Sequence, residues 1–236
     1  MAILNDDDEW FAEKLERQLA VAAESQFAFP VIATRVIGRS EHGDLCWPRR
    51  FPEPSEPVSE YIFCQRDLMA GEGLILPSAT LTSRELLNRV PFREGLRRHV
   101  DADWLLRVAQ VPGVGVEFVP SMAPLVIWNI DEKHLRMSHS TDWRFSLDWA
   151  RERRELMTRR AYGAFVLTRV GTTAARAREY RAFFVLLREA FRLGQPNSAE
   201  LIAYLILWFL PPEFRRRITL FFERTKRHQV LRQPGP

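Results

Sequence analysis

A glutamate in one apolar run and an acid-x-lysine just past the next are the residues best suited to bond-breaking chemistry in this chain. Glu117 lies within Val114 to Val119, and Asp131-Glu132-Lys133 closes the run Leu125 to Ile130. Metal-dependent nucleases place an acid on one strand and acid-x-Lys on its neighbour. Two carboxylates then hold Mg²⁺ through oxygen, and the lysine orients water or steadies developing charge. The same residues also suit a charged hairpin edge, with Glu117 exposed by strand alternation. Other catalytic signatures are missing: there is no G-x-x-x-x-G-K-[ST], H-E-x-x-H, G-x-S-x-G or C-x-x-C. Pro112-Gly113-Val114-Gly115 lacks the third glycine of a dinucleotide fingerprint and reads as a turn before a strand. His42, His99, His134, His139 and His228 are scattered, and Cys46 and Cys64 have no partners at metal spacing. A zinc site needs about four ligands, so neither a metal nor a cofactor is expected.

Phosphate-binding chemistry is better represented. Of 34 basic residues only Lys14, Lys133 and Lys226 are lysine, which leaves 31 arginines. The guanidinium fork fits phosphate and stacks on bases, although arginine-rich codon usage gives the same excess. The clusters are Arg151, Arg153 and Arg154, then Arg159 and Arg160, then Arg215, Arg216 and Arg217, and finally Arg224, Lys226 and Arg227. Glu152 and Glu155 stand at helical spacing from several of these arginines, so a solvated ion-paired face is the competing reading. Residues 1–80 carry 7 basic and 14 acidic side chains, residues 81–150 carry 9 of each, and residues 151–236 carry 18 and 7. A net charge of +4 thus hides a basic C-terminal third, suited to a polyanion or to an acidic partner protein.

The elements that must position these residues follow from period and punctuation. Asn5 or Asp6 caps a first helix with Trp10, Phe11, Leu15 and Leu19 along one stripe. Val31 to Ile37, Tyr61 to Cys64 and Gly73 to Pro77 read as strands, separated by a proline-rich loop over 40–58. Thr82 or Ser83 caps a helix through Val90, and another covers Asp101 to Gln110. Val114 to Val119 and Leu125 to Ile130 read as a β-hairpin, with His134 to Ser138 as a candidate third strand. From about Ser146 the chain is helical. Tyr180, Phe183, Phe184, Leu187 and Phe191 mark one apolar stripe, and the nearly all-apolar Ala199 to Leu210 should be buried. Beyond Pro211-Pro212, Phe214, Ile218, Phe221 and Phe222 share a face opposite Arg216, Arg217, Arg224 and Arg227. The fold class is α+β: a mixed α/β domain over 1–145 with a hairpin or small antiparallel sheet, then an arginine-rich helical bundle over 146–236. The longest apolar run, Leu201 to Leu210, is ten residues, against about 20 for a membrane span. The acidic run Asn5 to Glu9 is unlike a signal peptide, so a cytoplasmic location is expected.

Three segments resemble the large-subunit protein of type IV CRISPR effector complexes. They are Tyr61-Ile62-Phe63-Cys64-Gln65-Arg66-Asp67-Leu68-Met69-Ala70-Gly71-Glu72-Gly73, then Leu81-Thr82-Ser83-Arg84-Glu85-Leu86-Leu87, then Ala123 to Trp128 with Glu132-Lys133-His134-Leu135. Together with the arginine-rich helical C-terminal part, which also suits such a subunit, they carry a resemblance over about a third of the chain. Relatives often carry paired zinc-finger cysteines here, whereas Cys64 has Asp67 at the matching position. The resemblance implies a non-catalytic subunit bound to guide RNA and target DNA beside other subunits of the complex. It would contact the duplex that flanks the target and help to open it. Lys133 and Arg136 would contact that duplex, and the helical arginines would guide RNA or displaced-strand phosphates.

Overall fold

The computed structural model describes residues 1–41, 43–68, 71–130, 142–210 and 214. The chain is α+β: mixed sheets over residues 8–129 precede a helical region over 143–209. Among the described residues, the strands are β1 (Asp8–Trp10), β2 (Phe29–Ala33), β3 (Val36–Ser40), β4 (Gly43–Trp47), β5 (Thr80–Thr82), β6 (Val114–Phe118) and β7 (Val126–Asn129). One sheet has the order β5-β2-β6 and the other β1-β7-β3-β4.

The expected hairpin does not form. β6 pairs in parallel with β2, whereas β7 pairs in parallel with β3 and antiparallel with β1. The physical reason lies at the step between the sheets. The chain passes from β2 to β3 and from β6 to β7 side by side, so each apolar run finds a distant partner rather than its neighbour. Val119 N–H donates to the Ala33 carbonyl at 3.0 Å, and Leu125 N–H to the Arg35 carbonyl at 3.0 Å. The Arg35 guanidinium pins the crossing by donating to the carbonyls of Pro48 (3.0 Å) and Met122 (3.1 Å).

The helices are α1 (Lys14–Glu24), α2 (Val58–Phe63), α3 (Arg84–Arg89), α4 (Val100–Val108), α5 (Trp143–Glu152), α6 (Arg159–Phe165), α7 (Gly171–Arg176), α8 (Ala182–Leu193) and α9 (Ser198–Phe209). A π-helical turn, Val166–Val170, joins α6 to α7. Three further expectations are corrected. Asp8–Trp10 is a strand, not the first turn of a helix, because β7 offers it a ladder. α1 also buries the wrong residues for its sequence pattern. Lys14 and Gln18 are buried, while Phe11, Leu15 and Leu19 are exposed. The Gln18 amide donates to the buried carbonyls of Ile32 (2.8 Å) and Ala79 (2.9 Å) and so ties α1 to β2 and to the segment before β5. Finally, Tyr61 to Cys64 is mainly the end of α2 and Gly73 to Leu76 forms no strand, while the supposed loop over 40–58 contains β4.

Local signals hold where expected. Ser83 Oγ accepts from Leu86 N–H and caps α3, and Asn197 with Glu200 forms a capping box on α9. One buried cluster runs from Val31, Tyr61, Leu86 and Trp104 to Trp149, Phe165, Leu186 and Tyr204, so sheets and helices share a core. Among the described residues, no helix is long and apolar enough to cross a membrane.

Candidate nucleic-acid interface

The arginines of α5 and α6 are largely committed to carboxylates. Arg151 grips Glu189 with two nitrogens at 2.8 and 3.1 Å, and Glu189 also accepts from the Tyr162 hydroxyl at 2.9 Å. Arg153 is buried, with Asp103 at 2.7 Å and Glu152 at 2.6 Å. Arg154 meets Glu155 at 3.0 Å on the surface, and Arg160 lies 3.8 Å from Glu60. Arg159 is exposed and without an ion pair among the described residues. The i, i+3 and i, i+4 glutamates therefore explain little of this pairing. Glu189, Asp103 and Glu60 come from elsewhere in the chain and were invisible to spacing. Asp131, Lys133, Arg136, Arg215, Arg216, Arg217, Arg224, Lys226 and Arg227 lie outside the described residues.

A second set of arginines gathers beside α7. Arg98 precedes α4 and donates to Thr173 Oγ1 on α7 at 3.2 Å. It lies within electrostatic range of both Arg169, on the π-turn, and Arg176, at the end of α7. Burial and then the Arg176 charge push the Arg98 guanidinium below its ordinary range. Arg169 and Arg176 have no ion pair among the described residues. Arg98 thus lies near each of two further arginines of like charge, and a bound phosphate would relieve that repulsion.

α8 follows along the chain after the turn at Ala177–Tyr180. Its buried side is Ala182, Leu186 and Ala190. Arg181, Phe184, Val185, Arg188, Phe191 and Arg192 are exposed. At 100° per residue these six fall within one stripe, phenylalanines along one margin and arginines beside them. Phe184 is 74% exposed and Phe191 55%, values far outside a packed core. Arg181 and Arg188 have no ion pair among the described residues. Arginine beside exposed aromatic rings offers phosphate contact and base stacking together, the chemistry of single-strand binding.

This corrects the expected stripe of Tyr180, Phe183, Phe184, Leu187 and Phe191. The period was right and its phase was wrong. α8 approaches α6 closely, since a Cβ on Gly194 would stand 2.6 Å from the Gly163 Cα. Ala182, Leu186 and Ala190 face inward, Phe183 and Leu187 pack partly buried at the margin, and Tyr180, Phe184 and Phe191 turn out. α9 differs likewise: Glu200 and Tyr204 are buried, while Ile202, Leu205 and Phe209 are exposed. Glu200 anchors the helix by accepting from the N–H groups of Asn197 (2.8 Å) and Gln65 (3.1 Å).

His99 lies beneath the arginine cluster. Its Nε2 is 2.9 Å from Ser146 Oγ, and its ring packs on Trp149 and Phe165. Burial, reinforced by Arg98 and Arg169, lowers its pKa to about 3. The unfolded chain titrates this histidine near pH 6.5, so it binds a proton there that the folded chain refuses. Stability is expected to fall as pH drops from about 6.5 toward 3, by about 1.4 kcal/mol per pH unit below about pH 5.5. Urea midpoints across this range check it; a His99→Gln variant should lose most of the slope above pH 4.

Glu117 lies on a strand that does not pair with the strand leading to Asp131. Its strand is bonded to β2, with Ile32 opposite Glu117, and β7 belongs to the other sheet. Among the described residues there is no group of three or more His, Cys, Asp or Glu that suits a metal. Cys46 and Cys64 are free, and burial raises the Cys64 thiol to about 12. No family model, curated protein or solved structure matches this chain.

Proposed function

We propose that the protein is a non-catalytic nucleic-acid-binding subunit that holds a phosphate backbone on its helical half. The observation that carries this reading is the set Arg98, Arg169 and Arg176, gathered at one place, with the Arg181–Arg192 stripe of α8 next along the chain. Arg169, Arg176, Arg181 and Arg188 are exposed and have no ion pair among the described residues, so their guanidinium groups can meet a phosphate. The stacking rings Phe184 and Phe191 favour single-stranded RNA or DNA over a rigid duplex. Failure of the hairpin removes the support that strand geometry gave to a Mg²⁺ nuclease built on Glu117, Asp131 and Lys133.

The finer reading is a subunit of a CRISPR-type RNA-guided effector, in contact with guide RNA and the target-flanking DNA duplex and working in the cytoplasm. It rests on the resemblance of residues 61–73, 81–87 and 123–135 together with the arginine surface. The exposed apolar side chains Ile202, Leu205 and Phe209 on α9 also suit a protein that works beside other subunits. Anisotropy titration of single-stranded RNA, single-stranded DNA and duplex at several salt concentrations tests the binding. A steep fall of log K with log salt is expected, strongest for single strands; a flat plot would favour an acidic protein partner instead. Co-expression with the neighbouring genes tests the assembly, which is refuted if neither RNA nor another subunit co-purifies.

A further inference from the structure

β6 is an outer strand of its sheet. Its inner edge is satisfied by β2: Phe29 N–H donates to the Gly113 carbonyl at 2.9 Å and Val119 N–H to the Ala33 carbonyl at 3.0 Å. Alternation along a strand then turns the N–H and C=O of Val116 and Phe118 to the opposite edge. No described residue bonds to those groups. Two cavities, of about 440 and 690 Å³, lie along this edge and share Pro52 and Val116. Segment 51–57 supplies much of their other wall, so an open strand edge runs beside a groove.

The groove has a distinct charge. Its lining includes Glu53, Glu56, Glu117 and Glu155 and no lysine or arginine. Glu56 and Glu53 are paired with Arg50 and Arg66, and Glu155 with Arg154. Glu117 is different: its Oε2 is buried without a hydrogen-bond partner. A carboxylate oxygen in that position costs free energy until a donor reaches it. Val114, Val116 and Phe118 pack toward the main core, so Glu117 stands on the other face of the sheet.

We propose that this edge receives an extended peptide segment of a partner protein, added as a further strand beside β6. The open N–H and C=O groups of Val116 and Phe118 supply backbone pairing. A lysine or arginine of the incoming strand lies beside Glu117 and gives its orphaned oxygen a donor. Residues alternating with that cation are apolar and lie on the side of Val116 and Phe118. Nucleic acid is disfavoured here, because a phosphate would meet the uncompensated Glu117 and no lysine or arginine in the lining. The acidic groove and the arginine surface thus select different partners.

The test uses the full-length protein and a short labelled peptide of alternating lysine and valine, read by anisotropy. Binding is expected, with affinity about tenfold weaker for Glu117→Gln, the loss of one charge-assisted hydrogen bond. A peptide with glutamate replacing lysine, and one with alternate backbone amides N-methylated, should not bind. The proposal is overturned by absence of lysine-valine binding to a folded protein. It is equally overturned by equal binding of the N-methylated peptide or of the Glu117→Gln variant. Binding that appears only after removal of residues 211–236 would assign the edge to the chain's own tail and overturn a separate partner. Competition by single-stranded RNA that depends on Glu117 would overturn a peptide occupant, whereas RNA binding elsewhere leaves both readings separately testable.

Discussion

Replacing Arg98, Arg169 and Arg176 together by alanine is expected to weaken binding of single-stranded RNA by about a hundredfold at low salt. The slope of log K against log salt should become shallower by about two, the release expected from three lost phosphate contacts on a single strand. Three contacts at about 1 kcal/mol each would account for most of that loss. The effect should be similar across sequences, because phosphate contacts position a strand without reading it. Arg154→Ala provides the matched control. Arg154 is also an exposed arginine of the helical half, but Glu155 already holds it at 3.0 Å, and its removal should change affinity less than about twofold. Phe184→Ala adds a second dimension: loss of one stacking ring should weaken single strands by about tenfold and leave duplex binding nearly unchanged. Equal losses for Arg154→Ala and for the triple variant would mean that only bulk charge matters, and the site would dissolve into the general basicity of the chain.

The contrast between these arginines explains what the sequence could and could not reveal. Helix caps are local, and Ser83 and Asn197 declare α3 and α9 within a few residues. The basic excess of the C-terminal third is also plain from counting. Pairing is not local. Whether Arg151 is available depends on Glu189, 38 residues away, and Arg153 depends on Asp103, 50 residues away. The same limit governs the sheets. Val114 to Val119 and Leu125 to Ile130 have the composition of strands, and strands they are over most of their length. Their partners are Phe29–Ala33 and Val36–Arg39, selected by parallel ladders that no turn motif announces. On α8, period alone could not choose between two faces, one with large rings and one with alanines. Packing against the core decided it. Arg98 was overlooked because it stands next to Arg97 in a neutral segment. Only the packing of α4 against the helical half brings it to Arg169 and Arg176.

Asp103 provides the other large expected effect, and it tests directly whether Arg153 is structural. The carboxylate is fully buried. It accepts from Arg153 Nε and Arg107 Nε, both at 2.7 Å, with Arg93 at 3.6 Å. Burial alone would raise its pKa, but the Arg153 and Arg107 hydrogen bonds outweigh burial and hold it below the usual carboxylate range. Asp103→Asn would leave the buried Arg153 with only the exposed Glu152, and a broken buried pair costs about 3 to 5 kcal/mol. In a chain of this size that lowers the melting midpoint by about 10 °C. Arg153→Ala should destabilise by a similar amount and leave RNA affinity, measured well below the midpoint, within about twofold. The two losses should be far from additive, since each variant removes the same interaction. The pH dependence has a definite sign. A depressed carboxylate pKa contributes stability above the unfolded value, about 3.9, and that contribution disappears as pH falls through the lower folded value. This acid limb overlaps only the lowest part of the His99 window, so Asp103→Asn should make the curve shallower below about pH 4 and leave the slope between pH 6.5 and 4 intact. Additive losses in the double variant, or RNA affinity that falls with Arg153→Ala at unchanged stability, would return Arg153 to the binding surface.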